Sequence, residues 1–186
     1  SLASGIRRIE ALTGLAALKY LNQNQKLLEI IKNKLQCNEE DVVNKIDFYI
    51  TQSKKSEKVF KDMQSEKLKD ILSNYSLLND INVVCEAIDF SVEPKFLVDV
   101  FYEKYTSNAL CVFSVESEKP MMIIVITKDL SKKIHAGNFI KEIGMKFNCG
   151  GGGPPHFATA GFKNIENLKE AFNYSIEKIK NKINEL

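Results

Sequence analysis

The residues best placed to do chemistry lie between His135 and Lys163. Four consecutive glycines, Gly150, Gly151, Gly152 and Gly153, run into Pro154 and Pro155 and then His156. A glycine run leaves the backbone clear of side chains, so it can bring bare N–H groups against an anion or a sugar-phosphate backbone. The two prolines stiffen the exit. Upstream stand His135 and Gly137, then Lys141 and Lys146 on a segment of helical periodicity, and Lys163 follows the run. Lysines beside a bare backbone groove would hold phosphates in place without reading base identity. The competing reading is a flexible turn flanked by solvated lysines.

Catalytic chemistry is not expected. No nucleophile, base and orienting group occur in a recognisable set, no phosphate-binding loop ends in Lys-Ser or Lys-Thr, and no acidic cluster is suited to magnesium. His135 and His156 are the only histidines, and Asp129 is the nearby carboxylate, so both read as surface or nucleic-acid contacts rather than metal ligands. Cys37, Cys85, Cys111 and Cys149 are far apart with no C-x-x-C pair, which argues against structural zinc and for reduced, mostly buried thiols in a cytoplasmic protein. No metal or cofactor is expected. No apolar run reaches the roughly 18 residues of a membrane span, and Arg7, Arg8 and Glu10 stand where a signal peptide would be apolar.

The formal net charge is +2, unevenly spread. Residues 81–127 hold 3 Lys/Arg against 7 Asp/Glu, whereas residues 128–186 hold 10 against 6. The glycine run thus lies in the basic third, a modest electrostatic footprint for nucleic acid.

The positioning elements follow from periodicity. Gly5 to Ala11 alternates like a strand, with no partner near it in sequence, which suggests a piece of a larger chain. Leu15 to Leu21 and residues 23–36 read as helices, and Asn38 as the cap of a longer helix to about residue 72, with Glu39, Glu40 and Asp41 in its first turn. Together they make a helical hairpin with a long second arm. Ser73-Asn74-Tyr75-Ser76 breaks the pattern and marks a boundary. Beyond it, Ile81–Ile88, Ala109–Val115 and Met121–Thr127 read as strands, the last two as a hairpin around Glu116–Pro120. Pro94 opens one helix, Ala136–Phe147 forms another, Phe157–Phe162 is a short strand, and Asn164 caps a final helix with Leu168, Phe172, Ile176, Ile179 and Ile183 on one seam. The expected fold is α/β (α+β), a long helical hairpin followed by a compact mixed α/β domain.

Two strings resemble a known family. Gly5-Ile6-Arg7-Arg8-Ile9-Glu10-Ala11-Leu12-Thr13-Gly14 is similar to the segment closing the editing domain of alanyl-tRNA synthetases. Ile134-His135-Ala136-Gly137, then Lys141, then Gly151-Gly152-Gly153 with Pro155, Ala158, Ala160 and Gly161, resembles their C-terminal domain. The second string is shared more loosely with the DHH-associated domains of phosphoesterases. Residues 1–22 would then be the end of the editing domain, 23–76 a helical spacer, and 77–186 the C-terminal α/β domain.

The resemblance implies a non-catalytic C-terminal part of alanine–tRNA ligase. It would bind the outer corner of alanine-accepting tRNA, help couple aminoacylation to editing, contact upstream domains of the same chain, and be able to form a homodimer through its helices. ATP, magnesium and the editing-domain zinc would belong to the parent enzyme alone. Gly150 stands where many members have Lys, and Pro154 where many have Arg. Either RNA contact shifts to Lys141, Lys146 and Lys163, or this version binds tRNA more weakly. Two other readings compete: the substrate-binding domain of a DHH-type phosphoesterase, which the string at residues 5–14 argues against, and a dimerisation module whose glycines only pack.

Overall fold

A computed structural model describes residues 10–185. Residues 5–9, most of the strand expected over Gly5–Ala11 and half of the string Gly5–Gly14, lie outside the described residues.

The described residues begin with two long helices. Helix α1 spans Gly14–Leu35, a single helix rather than two, because Asn22-Gln23-Asn24-Gln25 contains no Gly or Pro to break it. It ends where Gln36 takes a left-handed conformation (φ 51°) and the Cys37 N–H donates back to the Lys32 carbonyl. Glu39–Asp41 form a 3-10 turn, and α2 follows over Val42–Ser73. Asn38 occupies the cap position of the turn, but its side chain makes no capping hydrogen bond. None of the α1 residues is buried, and Leu15, Leu21 and Leu27 are exposed.

The chain divides into two compact units, Ser1–Phe60 and Lys61–Leu186. This division precedes the composition break at Ser73–Ser76. Leu68 and Leu72 of α2 are fully buried among Leu97, Val100 and Phe101, and the Tyr105 hydroxyl donates to the Leu72 carbonyl at 2.6 Å. The last turns of α2 are therefore core, not spacer.

The second unit is a six-stranded mixed sheet between two helical layers. Its strands are β1 (Ser76–Leu78), β2 (Ile81–Ile88), β3 (Ala109–Val115), β4 (Met121–Ile126), β5 (Gly150–Gly152) and β6 (Phe157–Gly161), in the order β1-β2-β3-β4-β6-β5. Only β2 and β3 run parallel, joined through α3 (Pro94–Lys104) as the long crossover that parallel pairing requires. The β1–β2 turn has Asn79 and Asp80 at positive φ (46° and 60°), residues that tolerate that region, and the Asn79 side chain donates to the Ile183 carbonyl. Every residue of β3 is buried, which explains its continuous apolar reading.

Alternation along the strands sends the two sets of side chains to opposite layers. Leu110, Val112, Met122 and Ile124 pack under α4 (Ala136–Phe147) and α5 (Ile165–Asn184). Cys111, Phe113, Ile123 and Val125 pack under α3 and the end of α2. Of the two expected caps, Asn164 holds, its side chain accepting from the Asn167 N–H at 2.8 Å, whereas Asn38 does not; Phe147 ends α4 before a left-handed Asn148. This is the expected α+β architecture, long helices followed by a mixed α/β sheet. Among the described residues, no helix is long and apolar enough to cross a membrane.

Candidate nucleic-acid interface

The site is built from α4, the chain that leaves it, and the strand pair that follows. His135 is the N-cap of α4, and its Nδ1 accepts from the Asn138 N–H at 3.2 Å. One turn of the Pro-Pro segment is tied across the sheet end: the Ala136 N–H donates to the Pro155 carbonyl at 2.8 Å, and the Ile126 N–H donates to the His156 carbonyl at 2.9 Å. The prolines thus hold a fixed exit, while the Pro155 carbonyl anchors α4 and the His156 carbonyl anchors β4.

The glycines are not a free loop. Gly150–Gly152 form β5, antiparallel to β6, with Gly150 opposite Gly161 and Gly151 opposite Ala160. Sequence reasoning missed this strand, because three glycines carry no strand propensity and the pairing alone makes it. The run also divides by role. A Cβ on Gly151 would lie 2.4 Å from the Thr159 carbonyl oxygen, and one on Gly137 would lie 2.0 Å from the Gly153 carbonyl oxygen. These positions are glycine because backbones pack there. Gly150 and Gly152 have nothing within 4 Å of the place a Cβ would take. Packing therefore does not account for them, and they face open space on the terminal strand of the sheet, where an edge leaves N–H and C=O groups outside the ladder.

Two of the expected lysines flank this strand. Lys141 is four residues after Gly137 and three before Gly144, on the stripe of α4 that meets the glycine segment, and it is exposed. Lys163 is exposed two residues beyond Gly161, the partner of Gly150. Lys146 is on the other side of α4, its ammonium 3.5 Å from the centroid of the Tyr174 ring of α5. His135 lines a cleft with Lys133, Asn138, Lys178 and Lys182, on the α5 side of α4. His156 is half-buried beside the proline exit. The structure therefore puts Gly150 and Gly152 on the edge strand and Lys141 on the helix stripe that meets the glycine segment, while Lys146 meets Tyr174 instead. Tyr174, Lys178 and Lys182 went unnoticed in the sequence, although their four-residue spacing on α5 places them on one face.

Burial keeps two of the thiols in their protonated form. Burial pushes the Cys85 thiol up to about 11, against a smaller opposing effect of Lys180, and raises the fully buried Cys111 well above its ordinary value. Both stay protonated at neutral pH, the unreactive form. All four cysteines are free; Cys111 alone is fully buried, the other three being half-buried. Burial would raise the Asp129 carboxyl, but N–H groups of Asn108 and Leu130 and the Thr127 hydroxyl outweigh it and hold that carboxyl below its ordinary range. Asp129 is thus a local cap for the Asn108 turn. No group of three or more His, Cys, Asp or Glu suited to a metal occurs among the described residues.

Fold and edge together define a class: a mixed-sheet α/β domain whose terminal glycine strand lies against a helix N-capped by histidine. Residues 81–181 match the model of the DHHA1 domain, and the chain belongs to that family. Its relatives include the alanine–tRNA ligase of Alkaliphilus oremlandii, 32% identical over 99% of this chain and 22% of the relative, and that of Acetivibrio thermocellus, 34% identical over 98% and 22%. The chain spans about a fifth of the length of these curated relatives. A solved structure, the C-Ala domain from Aquifex aeolicus alanyl-tRNA synthetase, aligns with 59% of this chain and 97% of its own at 21% identity and a TM-score of 0.48.

Proposed function

We propose that this chain is the non-catalytic C-terminal part of an alanine–tRNA ligase, working in the cytoplasm to bind the outer corner of alanine-accepting tRNA and so help couple aminoacylation to editing by the upstream domains. The similarity to alanine–tRNA ligases over nearly the whole chain supports the parentage. The observation that carries the binding role is the pair of uncrowded glycines, Gly150 and Gly152, on an edge strand flanked by the exposed Lys141 and Lys163. ATP, magnesium and zinc belong, on this reading, to the rest of the parent enzyme.

The test is a titration of alanine-accepting tRNA at several salt concentrations. Phosphate contacts should dominate, so affinity should fall with salt, and the double change Lys141→Glu with Lys163→Glu should lower the log–log slope by about 2. Gly152→Val should weaken binding about tenfold without lowering stability, since it fills open space rather than core. Equal affinity of all three proteins would reduce the glycine strand to a packing feature and sink the proposal.

A specific observation favours a second, compatible role in homodimer formation through the helices. Leu15, Leu21, Phe60 and Met63 are all more than 60% exposed, more apolar surface than two helices ordinarily leave to water. Sedimentation should then show a concentration-dependent dimer that Leu21→Glu abolishes; a monomer at all concentrations would refute this role.

A further inference from the structure

We propose that the groove between α4 and α5, on the side of α4 away from the glycine strand, is a second RNA contact that stacks one unpaired base on Tyr174. The inference rests on the RNA-binding reading above and adds a surface to it.

Three observations carry it. First, the Tyr174 ring is half-exposed, packs against Phe147 with ring centroids 5.7 Å apart, and already holds a flat cationic contact, the Lys146 ammonium 3.5 Å from its centroid. An aromatic face that bears a displaceable lysine suits a nucleotide, because the base takes the ring and the freed ammonium meets the adjoining phosphate. Second, the Lys178 ammonium lies 5.8 Å from the Tyr174 ring centroid and also lines the neighbouring cleft with Lys133 and Lys182, so cations stand beside the platform. Third, two of the carboxylates near the platform are paired with lysines. Glu142 pairs with Lys178, and the hydrogen bond that Lys178 donates to it holds the Lys178 ammonium above the usual lysine range, while Glu185 lies 3.5 Å from Lys182. No carboxylate is paired with Lys133 or Lys146 among the described residues. Lysines and aromatic rings interleave on this face, the pattern by which single-stranded nucleic acid is held without sequence readout. An acidic peptide could use the lysines but would leave the ring face idle.

The experiment measures binding of fluorescently labelled alanine-accepting tRNA and of a short single-stranded oligoadenylate to the whole chain. Tyr174→Leu should weaken binding of both about tenfold, Tyr174→Phe should preserve it, and Lys146→Gln, at an exposed position that leaves the fold intact, should lower the salt slope by about 1. Wild-type affinity in Tyr174→Leu and Lys146→Gln, alongside a loss in Lys141→Glu, would overturn this inference and leave the proposed function standing. Equal loss in Tyr174→Phe and Tyr174→Leu would also overturn it, since the hydroxyl and not the ring face would then be responsible. Failure of the wild type to bind tRNA, with binding of oligoadenylate that depends on Tyr174, would refute the tRNA role while upholding the platform. Binding of neither RNA would refute both.

Discussion

Replacing Gly137 with alanine is expected to destabilise the sheet unit by about 2–3 kcal/mol, and replacing Gly150 with alanine by less than about 0.5 kcal/mol. The added methyl at position 137 would stand 2.0 Å from the Gly153 carbonyl oxygen and 3.1 Å from its carbonyl carbon. The obstacle is backbone, so relief requires moving α4 away from the segment that leads out of β5. Overpacking of this kind costs about 1–3 kcal/mol, and more where nothing can yield. Alanine would recover up to about 1 kcal/mol of helix propensity, too little to reverse the sign. At position 150 the same methyl meets nothing within 4 Å. Urea denaturation of the two variants checks the contrast. A Gly137→Ala protein as stable as wild type would show that α4 does not approach the glycine segment so closely. The same contrast separates packing glycines from those available to a ligand, which is why Gly152 rather than Gly151 is the informative site for an RNA-binding test.

The second large effect concerns the end of α2. Leu72→Ala should cost about 2–5 kcal/mol, the range for emptying a fully buried leucine site. Leu27→Ala, at a position 57% exposed in α1, should change stability by less than about 0.5 kcal/mol. Leu72 also presents its carbonyl to the Tyr105 hydroxyl, so any shift of the helix to fill the cavity strains a buried hydrogen bond. Thermal denaturation of the whole chain with each variant decides the matter. A small effect at Leu72 would mean that the helix ends before the core, as the composition break at Ser73–Ser76 suggested.

Much of the architecture was legible locally. Pro94 at a helix start, Asn164 as a cap, the apolar runs of β3 (Ser114 its one polar residue) and β4, and the seam of α5 each follow from interactions within a few residues, so the sequence declares them. The motif around His135 and the glycines likewise pointed to the family whose model matches residues 81–181. Helical spacing alone also held the clue that Lys141 and Lys146, five residues apart, do not share a face, but not which of them meets the glycines.

What remained undetermined was every feature that depends on a distant partner. β1 and β5 are three residues each and become strands only because β2 and β6 lie beside them. Leu68 and Leu72 look like any other helix leucines until α3 covers them. Gly137, Gly150 and Gly152 are chemically identical, and only the return of the chain past α4 makes one a close contact and leaves the other two open. Sequence by itself therefore determined most of the elements, the family and the list of basic and glycine residues, because propensity, capping and periodicity are local. Tertiary structure decided which of those residues share an edge, and set Lys146 on Tyr174 instead, because side-chain proximity across a sheet is set by long-range packing that no local pattern encodes.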